Sequence, residues 1–232
     1  MNGYIFDIDD TLYSRHSLLT QAARDSADIS AEEEDRFLTV FAQKSLENTP
    51  QVERREITAL ESNIWRFAES FRVLGIPDAD RKGEAAAVRY TDLQGHITLA
   101  QPLREMFDAL VKNGVVLGAL TTGDPRHQWK KFNMLGLGRW IPKELVAVSG
   151  ETGFTKPDPG AYRMMEERTG LTPDDLWMIG DSYEGDICGA ARCGWHTIWI
   201  NRRNAPAEDI IPDLICRDEA ELAQDILRMI SS

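Results

Sequence analysis

Apolar residues follow two different rhythms along this chain. From about residue 97 to the C-terminus, short apolar runs suited to buried strands alternate with stretches in which apolar residues recur every three or four positions, the spacing of one helix face. Pro102 begins a helix with Leu103, Met106, Phe107 and Leu110 on one side, and Lys112-Asn113-Gly114 has the composition of a helix end. Residues 115–120 run almost without a polar break into Thr121-Thr122-Gly123, as expected of a central parallel strand covered on both faces. A helix carrying Trp129, Phe132 and Leu135 follows, then a strand over 144–148. Asp158 and Pro159 read as the N-cap and first position of another helix, strands are predicted over 176–179 and 196–200, and an Asp218/Glu221 capping box precedes a last helix with Leu222, Ile226 and Met229. This βαβα rhythm predicts an α/β fold: an open parallel sheet with helices on both faces and a ligand site at the carboxyl ends of its strands.

Between residues 14 and 96 the strand signal is lost. Ser30 and Glu33 match a capping box ahead of Phe37, Val40 and Phe41, and Ile57, Leu60, Ile64, Phe67 and Phe71 keep helical spacing. The chain is therefore expected to divide into a catalytic core, residues 1–13 with 97–232, and an all-helical insertion, residues 14–96. Inserted after the first strand, that segment would sit above the strand tips and could close over a substrate, excluding water. Its aromatics are read as its own core rather than as a ligand box.

At 232 residues and 42% hydrophobic content the chain can bury a sizeable core. No apolar run reaches the roughly 18 residues of a membrane span, and the first residues lack the basic and apolar segments of a signal peptide, so a soluble cytoplasmic protein is expected. Cys188, Cys193 and Cys216 match neither a redox pair nor a zinc-ligand spacing and are read as reduced, mostly buried thiols. A net charge of −12 disfavours nucleic acid or an anionic membrane as partner. The same charge means that a phosphorylated small substrate needs a bound divalent cation.

Candidate chemistry begins within the first dozen residues. The apolar run Tyr4-Ile5-Phe6 delivers Asp7 and Asp9, followed by Asp10 and Thr11, which places two acids near one another at a strand tip. Two such acids repel unless a cation, a proton or a donor intervenes, and unequal surroundings let one stay ionised while the other carries a proton. Taken alone, Asp-x-Asp-x-Thr describes a solvated acidic turn equally well. Three later segments extend the pattern. Thr121-Thr122-Gly123 ends a strand in hydroxyls and amides suited to phosphoryl oxygens, although the same residues also suit an ordinary turn. Thr155-Lys156-Pro157-Asp158-Pro159 sets one lysine on a proline-stiffened loop, a fixed cation or else a surface side chain. Met178-Ile179-Gly180-Asp181 ends a second strand in an acid, with Asp186 five residues on at the start of a helix. A second acidic strand tip suits Mg²⁺, which takes oxygen ligands at about 2.0–2.1 Å.

Asp-Ile-Asp-Asp-Thr, a Thr ending the second core strand, Lys-Pro-Asp-Pro and Gly-Asp-x-x-x-x-Asp, in that order, resemble the four motifs of the haloacid dehalogenase superfamily, specifically its phosphatase-like members with a helical cap after the first strand. The resemblance covers essentially the whole chain. It implies a Rossmann-like core, a small all-helical cap and Mg²⁺-dependent hydrolysis of a small-metabolite phosphomonoester through an aspartyl-phosphate. By that likeness Asp7 is the nucleophile and Asp9 the acid, then the base. Thr121, Thr122 and Lys156 hold the phosphoryl group, with Thr122 standing where many relatives carry Asn. Asp7, the Asp9 backbone carbonyl, Asp181 and Asp186 surround Mg²⁺, Asp186 directly or through water or Lys156. With substrate bound, about −5 from phosphate and three aspartates faces about +3 from Mg²⁺ and Lys156, so neither cation is dispensable.

Three alternatives remain open to the sequence. A 2-haloacid dehalogenase of the same superfamily would attack carbon, but halide needs no proton on leaving, and that branch resembles Asp-x-Tyr or Asp-x-Phe rather than Asp-x-Asp. A phosphomutase would keep every motif and shield the intermediate from water. An inactive regulatory binding protein should have lost Asp7, Asp9, Lys156 or Asp181, and all four are present. His16, His96, His127 and His196 show no ligand spacing; Arg15 and His16 follow the first motif closely enough to reach a substrate, though a solvated linker is the simpler reading.

Overall fold

The computed structural model of the chain describes residues 2–54 and 56–231. It divides into two compact units, Met1–Tyr13 with Ile97–Ser232, and Ser14–His96.

The first unit is a six-stranded parallel sheet in the order β3-β2-β1-β4-β5-β6. Its strands are β1 (Gly3–Phe6), β2 (Val116–Thr121), β3 (Val146–Val148), β4 (Leu176–Gly180), β5 (His196–Ile200) and β6 (Leu214–Cys216). This Rossmann-like order reverses direction between β1 and β4, and such a switch point opens a crevice at the carboxyl ends of the strands. The period of two along a strand decides what each face buries. Ile5 and Met178 pack with Tyr162 and Met165 of one helix (Pro159–Thr169), whereas Phe6 meets Phe107 of another (Gln101–Lys112) at a ring separation of 4.9 Å. Tyr4 stacks on Trp177, and Trp177 on His196, across three neighbouring strands. Leu103, Met106, Phe107 and Leu110 are fully buried, the face that their spacing predicts. Cys188 and Cys216 are buried and Cys193 half-buried, all as free thiols.

The second unit consists of α1 (Arg15–Ala27), α2 (Glu34–Glu53), α3 (Ala59–Leu74) and α4 (Ala79–Gln94). Phe37, Phe41, Phe67 and Phe71 form a stacked and tilted aromatic cluster, with Tyr90 edge-on to Phe67. Each such pair adds about 0.5–1.5 kcal/mol beyond burial, which helps a unit of this size hold a core. The remaining helices of the first unit are α5 (Gln101–Lys112), α6 (Pro125–Met134), α7 (Ser149–Thr152), α8 (Pro159–Thr169), α9 (Gly189–Arg192) and α10 (Glu219–Ser231). Among the described residues no helix is long and apolar enough to cross a membrane.

Several local expectations shift. The strand predicted over 144–148 begins only at Val146, because Lys143–Leu145 form a 3₁₀ turn after Pro142. Strand β6 has no counterpart in the sequence reading; three residues at a sheet edge are too few for a periodic signal. Glu33 does accept from the Ser30 N–H and hydroxyl, but as a turn ahead of α2, which starts three residues later than a capping box would place it. Ile57 lies before α3, whose true capping box is Thr58 with Glu61, and Leu60 is exposed. Asp218 accepts from the Ala220 and Glu221 amides, while Glu221 reaches back to the Arg217 amide instead of that of Asp218.

Gly83 of α4 tests how closely the helices of the second unit approach. A Cβ there would lie 2.6 Å from Ala68 N and 2.8 Å from Ala68 Cα of α3. Intrinsic propensity favours Ala in a helix by about 0.5–1 kcal/mol, but overpacking against backbone costs about 1–3 kcal/mol. Gly83→Ala is therefore expected to lower stability by roughly 1–2 kcal/mol, read as a lower denaturant midpoint; an unchanged or raised midpoint contradicts the contact.

Candidate active site

Three strand ends deliver the chemistry. Asp7 follows β1 and its N–H donates to Ile179 O of β4, so the backbone that carries it is tied to the neighbouring strand at 2.8 Å. The loop then curls tightly: Leu12 N–H donates to Ile8 O, and Asp10 takes a left-handed conformation at φ 55, which Asp tolerates better than most residues. The Asp10 carbonyl accepts from the Arg202 guanidinium after β5. Thr121 closes β2, and Asp181 follows β4.

Asp7, Asp181 and Asp186 each present a carboxylate oxygen within 4.8 Å of the others. Lys156 sits among them, its ammonium donating to Asp7 Oδ1 at 2.7 Å and Asp186 Oδ1 at 2.5 Å, with its side chain only 6% exposed. Asp186 is held from its other oxygen by the Ser182 N–H at 2.9 Å. It belongs to a π-helical turn, Tyr183–Cys188, rather than to the start of an ordinary helix, and the Tyr162 hydroxyl anchors that turn by donating to Gly185 O. Gly180 is what lets this carboxylate lie against the strand end, since a Cβ there would fall 2.1 Å from Asp186 Oδ2.

Burial sets the electrostatics. It pushes Asp7 up to about 7 against the opposing pull of the Lys156 ammonium, and repulsion from Asp186 and Asp9 adds to the rise. For Lys156 burial works against the charge, but the carboxylates of Asp186 and Asp7 outweigh it and hold the ammonium above its ordinary range. Losing one member of such a buried pair costs about 3–5 kcal/mol, because the other charge is left uncompensated. A donor set made wholly of carboxylate oxygens around an excess of negative charge fits a hard divalent cation.

Asp9 faces a different environment. The Lys131 ammonium of α6 lies 2.7 Å from Oδ1 and 2.6 Å from Oδ2, Gln128 Nε2 donates to Oδ2 at 2.9 Å, and the Tyr13 hydroxyl donates to Oδ1. The Thr121 hydroxyl is buried with no hydrogen-bond partner, an orphaned donor at the end of β2. Thr122 is exposed and its carbonyl accepts from Gln128, while the Gly123 N–H is occupied by Ser149 Oγ at 3.0 Å. Of the predicted site residues, Asp7, Lys156, Asp181 and Asp186 thus gather around one point. Asp9 couples electrostatically to Asp7 but is directed to α6. Lys131, Gln128, Tyr13 and Ser182 escaped the sequence reading. Only Gln128 and Lys131 carried a signal, a three-residue spacing that puts both on one helix face.

The chain matches the haloacid dehalogenase-like hydrolase family over residues 1–194. It belongs to that family. A glyceraldehyde 3-phosphate phosphatase of Methanopyrus kandleri is 28% identical over 215 residues, spanning 87% of this chain and 84% of that protein. Among solved structures, the L-2-haloacid dehalogenase of Xanthobacter autotrophicus superposes with a TM-score of 0.64 at 18% identity, over 99% of each chain. A HAD phosphatase from Thermococcus onnurineus superposes with a TM-score of 0.59 at 24% identity, over 97% of this chain and 98% of its own. At these identities the structures establish the shared fold of this haloacid dehalogenase-like hydrolase, and its chemistry must be argued from its own residues.

The raised Asp7 has a consequence for stability. Between about pH 4 and pH 7 the folded state holds a proton that the unfolded state releases, so stability falls as pH rises through that window. Asp7→Asn removes this dependence. In chelator-treated protein the melting temperature of Asp7→Asn minus that of wild type should be more positive at pH 8 than at pH 5; equal differences at the two pH values contradict the assignment.

Proposed function

We propose that this protein is a Mg²⁺-dependent phosphomonoesterase that passes the phosphoryl group of a small metabolite first to Asp7 and then to water. The observation that carries this reading is the contrast between its two leading acids: Asp7 lies against Lys156 and Asp186, whereas Asp9 is held separately by Lys131, Gln128 and Tyr13. Two carboxyl groups in unlike surroundings suit unlike tasks. The phosphatase named among the relatives, similar over most of both chains, supports the same substrate class.

In this reading a carboxylate oxygen of Asp7 attacks phosphorus in line with the ester oxygen. The bond from phosphorus to that oxygen breaks, and the leaving alcohol takes the proton carried by Asp9. Asp9, now a carboxylate, accepts a proton from water as the water oxygen attacks the phosphorus of the aspartyl-phosphate. The bond to Asp7 then breaks, releasing inorganic phosphate and restoring both acids. Lys156 and the Thr121 hydroxyl receive the phosphoryl oxygens, and the partnerless burial of that hydroxyl supports its assignment. Thr122 is assigned to the same side of the site. Mg²⁺, when held by Asp7, Asp181, Asp186 and the Asp9 carbonyl, supplies the positive charge that lets a phosphate dianion approach these carboxylates. The helical unit takes the part of the cap, because it enters the chain directly after the loop that carries Asp7 and Asp9.

Halide displacement from carbon expels an ion that needs no proton, so a dehalogenase gives Asp9 no task. Phosphate ester hydrolysis does. The decisive measurement is phosphate release over a panel of phosphorylated small metabolites, with Mg²⁺ and with EDTA. Activity should vanish on chelation, return with Mg²⁺, and fall by at least about 10⁴-fold in Asp7→Asn; turnover that survives either change rules the mechanism out. Incubation with a 2-haloacid should release no halide.

A further inference from the structure

The polar contacts around Asp9 assign a task to a residue outside the four family motifs. Lys131 straddles the carboxylate at 2.7 and 2.6 Å, one ammonium bonded to both oxygens. The two side chains are 19% and 16% exposed, so the pair is largely withdrawn from water and unlike a solvated surface ion pair, which is worth about 0–1 kcal/mol. Gln128, one turn earlier on the same face of α6, donates to Oδ2 and to the Thr122 carbonyl with the same nitrogen. Helix α6 itself starts abruptly behind β2, with Asp124 as N-cap and Pro125 at its first position, which fixes where Gln128 and Lys131 point.

We propose that Lys131 is a positioning residue for Asp9: with Gln128 it clamps the carboxyl group, bonding one oxygen while the other carries the proton, in the orientation from which that proton reaches the leaving oxygen and is later regained from water. An Asp side chain on a tight loop can otherwise rotate about two bonds. A misaligned acid loses most of the 10²–10⁴-fold that general acid–base catalysis contributes. Lys156 serves a different pair, its ammonium bonded to Asp7 and Asp186.

The inference rests on the phosphomonoesterase reading, and its test separates the two. Single-turnover release, with enzyme in excess, is compared for p-nitrophenyl phosphate, whose acidic phenol leaves unaided, and for the alkyl phosphate with the highest kcat/KM in the metabolite panel. Lys131→Met should slow alcohol release from the alkyl ester by about 10–100-fold with KM within about twofold, and slow p-nitrophenolate release by less than about threefold. In an Asp9→Asn background the same substitution should cost nothing further. Equal losses on the two esters, a change confined to KM, or an undiminished loss in the Asp9→Asn background overturns the proposal. Should Lys131→Met fail to fold by circular dichroism, Lys131→Gln, which keeps a donor but not the charge, is read against the same outcomes. If Asp9→Asn hydrolyses the alkyl ester like wild type, the acid–base role of Asp9 fails; if that variant is inactive while Lys131→Met matches wild type, only the role of Lys131 fails.

Discussion

Lys156 lies between Asp7 and Asp186 with almost no access to solvent, and the carboxyl edge of the sheet is organised by the need to keep that ammonium and those two carboxylates in register. One cation between two anions leaves the group negative even before Asp181 is added, and burial magnifies every residual charge. Much of the local architecture follows. Gly180 makes room for the Asp186 carboxylate, the Ser182 N–H takes its second oxygen, and Tyr162, reaching across from α8, pins the π-helical turn that carries it. The sheet brings these parts together because β1 and β4 are neighbours at the point where strand order reverses.

The uncompensated charge is also what makes the site useful. A protein selected for stability alone would replace such a cluster with apolar side chains at little cost. Here Asp7 is driven up to about 7 by burial and by its acidic neighbours, a condition that a divalent cation would relieve. Binding of such a cation would thereby be linked to the ionisation of Asp7. Asp9, only two residues along, is served by a different cation, the Lys131 ammonium of α6.

The solved structures that share this fold include a dehalogenase and a phosphatase, so the sheet and its helices do not by themselves select the reaction. Selection falls to side chains at the strand tips. Displacement at carbon and displacement at phosphorus can both use an Asp at the end of β1. They part over whether the leaving atom needs a proton, and hence over the residue two positions further on.

How much was legible in the chain varied with the physics behind each feature. The buried faces of β1, β2, β4, β5 and α5 were readable because burial of a regular element imposes a period on its own residues, and Leu103, Met106, Phe107 and Leu110 show it directly. The acids at the ends of β1 and β4 were readable for a related reason: a strand end terminates an apolar run, and a carboxylate there has no packing role. Strand β6 was not readable, being three residues at an edge, nor was the start of α3, where Thr58 and Glu61 displaced the apolar series by two positions. Lys131 and Gln128 were invisible as site residues. They are 122 and 119 positions from Asp9, on a helix whose sequence shows only an ordinary amphipathic face, and nothing in local spacing records which strand tip that face will meet. The sequence by itself thus determined the elements, the kind of fold and the chemical types at the strand tips, since these depend on interactions within a few residues. Only the tertiary structure decided which acid each lysine serves, because an ion pair depends on distance in space, and that distance is set by the packing of the whole sheet.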